Sequence, residues 1–440
     1  MKLMVYTAQP TPRTRYACRV LFESILGLEV EVTTNWPRFL SEDLPKITYG
    51  KSTESAALPW LPAARLLQET GIQHQTFEVQ TYRQLPAACF VPGSDSALLP
   101  FDLLSFTFLL ATRYEEYLPF HADAHGRFPA TESLAHQHGF LQRPILQEWG
   151  KLLLDQLQRF FPGLPDNRPV YQFQPTYDID MAWAYRHRPL WLQLAGFGKD
   201  ILYGNRHLIK ERLLVLFRQT TDPFYTFDRL DALHKAYGLS PIFFLLLGDY
   251  GPYDKNLPPD GQAMQTLIES LSQHNKTGLH PSYRSNGHPH LLQAEIQRYA
   301  RLTGQHPLRS RQHFLKLSFP ATYRQLIAAG IREDYTMGYA DAIGFRAGLS
   351  VPFPWYDLEV ESEQPLTLYP FVLMDVTLKQ YLQLTPDQAI ETLQSLIDKV
   401  RRTGGLFMPL WHNSSFADSH GWTGWDEVHR ALLQYGSTKS

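Results

Sequence analysis

The sequence predicts an α/β protein in two parts, a smaller N-terminal α/β domain over residues 1–165 and a larger domain of repeated βα units over residues 170–440. Three observations predict it. Pro162-Gly163-Leu164-Pro165-Asp166-Asn167-Arg168-Pro169 places three prolines and a glycine in eight residues, the strongest break in the chain. Beyond it, short β-prone apolar runs alternate with amphipathic helical stretches, the rhythm of a mostly parallel sheet or barrel. Hydrophobic residues are 44% of the 440 and charged residues 19%, which allows a sizeable core and excludes wholesale disorder.

Before the break, Leu3–Thr7 is an apolar strand and Arg15–Leu26 a helix. Leu28–Thr33 alternates apolar and acidic residues, the period of a half-buried strand. Ile47–Tyr49 and Ala87–Val91 are short β-prone runs. Phe101–Tyr117 is dense in apolar residues and reads as a buried helix with a polar end. A polar loop follows from His121 to His138, and Gln147–Phe160 is an amphipathic helix. After the break the expected strands are Val170–Asp180, Ser240–Leu247, Thr277–His280, Pro307–His313, Glu333–Thr336, Leu366–Met374 and Leu406–His412. The expected helices are Tyr225–Tyr237, Gly261–His274, Leu291–Leu302, Pro320–Ala329 and Thr385–Thr403. No internal repeat or low-complexity tract interrupts this order.

The 41 Lys and Arg against 43 Asp and Glu give a net charge of −2, which argues against a general nucleic-acid binder or a polybasic membrane-surface protein. The two cysteines, Cys18 in a helical run and Cys89 in a strand-like run, are too few for a disulfide framework or a four-thiolate zinc site. Both read as buried thiols. The first residues lack the apolar stretch of a signal peptide. The longest apolar run, Pro241–Leu247, is far short of the ~20 residues of a membrane helix. The expectation is a cytoplasmic protein without a membrane span.

Several expected strands end in residues that bind metals or move protons. Asp178 and Asp180 lie two apart, hence on one face of an extended strand. His280, Arg311 with His313, Asp334 and His412 end later strands. Of 17 histidines, twelve follow the break, and only His280, His313 and His412 end strands. In parallel βα architectures the strand ends meet at one mouth. A carboxylate with two imidazoles there is a catalytic metal set that leaves positions open for water. A second carboxylate can accept the water proton, and a histidine opposite can donate one. Taken singly, a D-x-D also serves as a loop cap, a strand-end histidine as a hydrogen-bonded structural residue, and Arg311 as a salt-bridge partner.

From Val170 onward the order of these residues resembles the polysaccharide deacetylase (NodB-like) family, carbohydrate esterase family 4. Thr176-Tyr177-Asp178-Ile179-Asp180 looks like that family's first motif, Pro241–Gly248 its second strand, Gly278-Leu279-His280-Pro281-Ser282 the start of its histidine motif, and Leu410-Trp411-His412 its last. The resemblance implies a distorted (β/α) barrel and a divalent metal, zinc by preference. It implies Asp178 as general base, Asp180 and His280 as metal ligands, and His412 as general acid. The family's second histidine would stand at position 284, which here is Arg. His313 is the substitute third ligand; otherwise metal binding is weakened or lost.

The implied activity is metal-dependent removal of an acetyl group from an N-acetylated (or O-acetylated) sugar or glycan precursor. Arg311 is a candidate oxyanion donor. Asp334 and Arg346 orient His412 or contact sugar, or else form structural ion pairs. Tyr283 and Trp411 are candidate sugar-stacking residues or core. The expected partner is a carbohydrate, with no nucleic acid. The alternative is a non-catalytic glycan-binding or envelope-glycan assembly protein on a degenerate barrel, and hydrolysis of a non-sugar amide is held in reserve. The RYEEYLP…HGRFPA…GFLQRP run resembles an uncharacterised bacterial module that precedes deacetylase-like domains. Its Arg113, Glu115, Glu116, His125 and Arg127 are read as a domain contact, or as a loop over the barrel mouth.

Overall fold

A computed structural model describes residues 1–50 and 58–438. Before the break, β1 (Lys2–Tyr6), β2 (Glu29–Thr33), β3 (Lys46–Tyr49) and β4 (Trp60–Leu61) form a parallel sheet in the order β2-β1-β3-β4. A hairpin of β5 (Gln80–Tyr82) and β6 (Leu85–Ala87) turns through Arg83 and Gln84, both at positive φ. Cys89 follows that hairpin at φ 65, outside any strand, and is half-buried; Cys18 is fully buried.

After the break come β7 (Gln172–Phe173), β8 (Thr176–Ile179), β9 (Ile242–Leu246), β10 (Lys276–His280), β11 (Arg309–Ser310) and β12 (Glu333–Asp334). They are followed by β13 (Phe353–Asp357), β14 (Ser362–Leu368), β15 (Leu373–Met374), β16 (Leu406–Phe407) and β17 (Pro409–His412). Nine of these form one sheet in the order β13-β14-β12-β11-β10-β9-β8-β17-β15, parallel except for the β13–β14 pair. Among the described residues no ladder joins the outer strands β13 and β15, so hydrogen bonds leave the sheet open. The fold is mixed α/β.

Prolines split three of the expected strands. Pro175 splits Val170–Asp180: β7 pairs with β16 in a separate ribbon, and only β8 joins the main sheet. Pro409 opens β17 and separates it from β16, and Pro370 separates β14 from β15. The expected strand Pro307–His313 shrinks to Arg309–Ser310 because the chain turns into a 3₁₀ segment, His313–Leu315. Strand β13 and three helices, Leu190–Leu202, Arg206–Leu216 and Trp425–Ser437, lie outside the sequence reading.

The buried core runs without interruption across the break, from Leu3 and Trp149 to Trp355 and Leu432. The Gly344–Ser350 segment lies against the start of the Ile145–Phe160 helix, where Gly344 (φ 132) leaves only 2.4 Å between an added Cβ and the Leu141 carbonyl. Next to it lies a buried ion network. Arg113 donates to Glu116 (2.7 Å), Glu115 (2.7 Å), the Tyr339 hydroxyl (2.9 Å) and the Arg346 carbonyl. Arg346 grips both Glu116 oxygens, at 2.9 and 2.5 Å, and reaches the Gly338 carbonyl. Arg346 is therefore consumed in a contact between the two parts of the chain.

Burial pushes the Glu116 carboxyl up, but Arg346 and Arg113 outweigh it and hold its pKa below the usual carboxylate range. Its contribution is present above that range and is lost as acid protonates it. Glu116→Ala leaves two buried guanidiniums facing each other and should cost about 3–5 kcal/mol. Urea unfolding measures this; an unchanged midpoint and slope would refute the role given to Glu116.

Candidate functional site

Strand alternation sends Thr176, Asp178 and Asp180 to one side of β8, and Tyr177 and Ile179 to the other. The same rule points Leu410 and His412 inward from β17, whereas Trp411 is buried on the opposite face against His429 and Trp425. His280 ends β10, and His313 opens the 3₁₀ turn after β11. That turn carries Phe314 and Leu315 at φ 59 and 53, a left-handed pair of non-glycine residues and a local strain beside the site.

These elements bring Asp178, Asp180, His280, His313 and His412 to one cavity of about 500 Å³. The volume falls within the range of about 300–1,000 Å³ usual for small-molecule sites. A larger groove of about 980 Å³, between Trp183 and His274, holds none of the five. Nε2 of His280 is 3.3 Å from Asp180 Oδ1, and Nε2 of His313 is 3.6 Å from Asp180 Oδ2. The ligand atoms of Asp180, His280 and His313 all lie within 4.8 Å of one another. Donors bound at about 2.0–2.2 Å to one tetrahedral zinc stand roughly 3.3–3.6 Å apart, so the set fits a divalent cation. Asp180 Oδ1 is also buried without a hydrogen-bond partner.

The tautomers suit the same role. His280 Nδ1 lies 2.6 Å from the Arg311 carbonyl oxygen and must donate to it, which leaves Nε2 as the free donor atom. His313 Nδ1 pairs with the buried Asp254 at 2.8 Å, and Asp254 also accepts the Tyr283 N–H. Burial pushes the His313 pKa down, but Asp180 and Asp254 push it up further, to about 9. The carboxylates thus draw positive charge to the place a cation would take.

Beside this trio, Asp178 Oδ1 accepts from Arg311 Nη1 at 2.9 Å, and Asp178 Oδ2 lies 3.6 Å from His280 Nε2. On the opposite flank, His412 Nδ1 pairs with Asp375 Oδ1 at 2.8 Å, while Asp375 Oδ2 accepts the His412 N–H at 2.8 Å. Burial lowers the His412 pKa, but Asp375, aided by Asp180 and Asp178, raises it to about 10. With no cation bound, these carboxylates favour the imidazolium form of His412.

Other expected site residues sit elsewhere. Arg311 is fully buried below the cavity, bonded to Asp178, Thr176 Oγ1 and the Tyr335 carbonyl. Asp334 is fully buried and accepts from Ser310 Oγ and from the Thr336 N–H and hydroxyl, with no contact to His412. Tyr283 meets Tyr253 at a tilt and Phe314 and His125 edge-on, beside the cavity rather than in its wall. Arg284 is exposed.

Two residues escape sequence reasoning, Asp375 and Asp254; a third, Arg127, belongs to the run read as a domain contact or as a loop over the barrel mouth. Asp375 ends β15 one residue beyond the expected strand, so the strand-end rule reaches it once Pro370 is allowed for. Asp254 lies in a loop and carries no local signal. Arg127 comes from the polar loop of the N-terminal part and enters the cavity wall, held by Asp123 (2.7 Å), the Phe314 carbonyl (2.7 Å) and the Tyr381 hydroxyl (3.3 Å).

Residues 3–162 match a family of unknown function (DUF7033). No curated protein matches the chain. Among solved structures, a protein described as a polysaccharide deacetylase from Mycobacterium smegmatis is similar at 16% identity and a TM-score of 0.41, over 63% of this chain and 87% of its own. Puue allantoinase is similar at 14% identity and 0.39, over 62% and 85%. A polysaccharide deacetylase from Bacillus cereus is similar at 12% and 0.30, over 61% and 86%. No described helix is long and apolar enough to cross a membrane.

Loaded with Zn²⁺ and desalted, the protein should retain one equivalent by elemental analysis. Asp180→Ala and His313→Ala should lose it, and Asp254→Ala should weaken affinity roughly 10–100-fold. Full metal content in His313→Ala would remove His313 from the ligand set.

Proposed function

We propose that the chain is a metal-dependent hydrolase that removes an acetyl group from an N-acetylated (or O-acetylated) sugar or glycan precursor. The observation that carries the reading is one cavity in which an Asp/His/His cation site is flanked by a carboxylate and by a carboxylate-paired imidazolium. Asp180, His280 and His313 would hold the ion, zinc by preference for this donor set. Once bound, such an ion supplies Lewis acidity toward an acyl carbonyl and lowers the pKa of water.

The protein groups do the proton work. Arg311 occupies Oδ1 of Asp178, so Oδ2 is the oxygen left to accept a proton from the attacking water. The water oxygen bonds to the acetyl carbon and the C–N bond breaks. His412 gives its proton to the departing amine, and Asp375 keeps the imidazole charged and aimed. The products are acetate and a free amino sugar. Arg127 and the Tyr381 hydroxyl border the same cavity and would face the sugar.

Acetate release from acetylated chitooligosaccharides and nucleotide-linked N-acetyl sugars, by the metal-loaded protein, tests the proposal. Asp178→Asn should reduce it at least ~100-fold, and His412→Gln by roughly 10²–10⁴. The His412 loss should be larger for amides than for O-acetyl esters, since an amine leaves only when protonated. Release that survives Asp178→Asn would defeat the mechanism. Sugar binding with no release from any acetylated substrate would favour the glycan-binding alternative.

A further inference from the structure

Between β8 and the next core helix the chain forms a helical hairpin, Leu190–Leu202 and Arg206–Leu216, joined by a tight turn at Tyr203–Asn205. The helices pack through Gly196 and Arg212; a Cβ at 196 would meet Arg212 Nη2 at 2.8 Å. Their outer face is apolar in a way that folded surfaces rarely are. Leu190 and Phe217 are each 74% exposed, Leu202 80%, Leu194 64% and Trp191 59%. Leu190, Leu194, Ile201 and Leu202 follow helical spacing, so they form one stripe rather than scattered singletons.

The charges of this segment are as one-sided as its apolar residues. Residues 186–218 hold seven Lys and Arg against two acids, a net +5 within a chain of net −2. Both acids turn inward. Asp200 binds Arg212 at 2.7 Å, and Glu211 accepts from the Tyr185 hydroxyl at 2.7 Å. The charges left on the outside, Lys199, Arg206, Lys210 and Arg218, are all positive. The hairpin is firmly rooted, because the Asp222 carboxylate accepts the N–H groups of Ala184, Tyr185 and Arg186 at 2.7–2.9 Å. Trp191 meets Tyr250 edge-on at 5.6 Å, just past the C-terminal end of β9. That contact places the hairpin at the end of the sheet where the strands present the candidate ligands.

We infer that this hairpin is an interfacial membrane anchor that docks the protein on an anionic lipid surface. Its apolar stripe enters the headgroup–acyl boundary, and Lys199, Arg206, Lys210 and Arg218 meet lipid phosphates. The charge complementarity selects a lipid surface over a second copy of the chain, since two copies would bring like-charged rims together. Neither helix needs to span, because each lies in the interface plane.

Vesicle co-sedimentation of the full chain tests this. Wild type should sediment with phosphatidylcholine vesicles that contain phosphatidylglycerol, and less with phosphatidylcholine alone or in high salt. The double variants Leu190→Ser/Trp191→Ser and Lys199→Glu/Lys210→Glu should each lower partitioning roughly tenfold or more, with little change in the thermal midpoint, because the altered side chains are mostly exposed and Trp191 gives up a single edge-on contact with Tyr250. Absence of sedimentation with both vesicle types would overturn the inference. So would a concentration-dependent dimer, seen by light scattering, that Leu190→Ser/Trp191→Ser dissolves, since a second copy would then cover the face.

Discussion

The buried guanidinium of Arg311 is the constraint on which the candidate site depends. A cation taken out of water costs several kcal/mol unless its donors are met. Here they are met by groups from different strands: Asp178 and Thr176 of β8, and the Tyr335 carbonyl just past β12, while the plane lies 4.4 Å over the Phe244 ring of β9. The backbone of the same residue bonds to β10, taking the Leu279 carbonyl and giving its own carbonyl to His280. One residue thereby fixes which oxygen of Asp178 stays free and which nitrogen of His280 faces the cavity. The residue suits stabilising the arrangement from beneath, where full burial closes it off from substrate.

The same logic repeats around the cavity. His313 leans on Asp254 and His412 on Asp375, each through Nδ1 at 2.8 Å. Every imidazole that could act is held by a partner that cannot reach the reacting atoms itself. Orientation is supplied before any ligand arrives, which is what proton transfer and cation binding both require.

The residues legible in the sequence are those whose placement follows a local rule. Asp178, Asp180, His280 and His412 stand at or just past the ends of strands, and alternation alone sorts His412 from Trp411. His313 is a harder case. Its expected strand is only two residues long, and the side chain reaches the trio through a turn with two left-handed residues, a geometry that no periodicity announces. Asp254 is a loop residue, paired across 59 positions of sequence, and nothing near it in the chain marks it. Arg346 and Asp334 look like site residues by type, yet folding spends them on buried partners. The hairpin after β8 is hidden by averaging, since the chain-wide charge of −2 conceals a basic, apolar segment of thirty-odd residues.

Arg127 gives the architecture a last consequence. Among the described residues the N-terminal part contributes no carboxylate or imidazole to the cluster, yet its Arg127 guanidinium closes one wall of the cavity and is itself bolted to the Phe314 carbonyl beside His313. On the proposed function, chemistry and selectivity are thus divided between two stretches of chain. Changes in the 121–127 loop can reshape what the cavity admits while the proton-transfer groups stay untouched, so related chains could diversify their ligands by drift in a segment that performs no reaction.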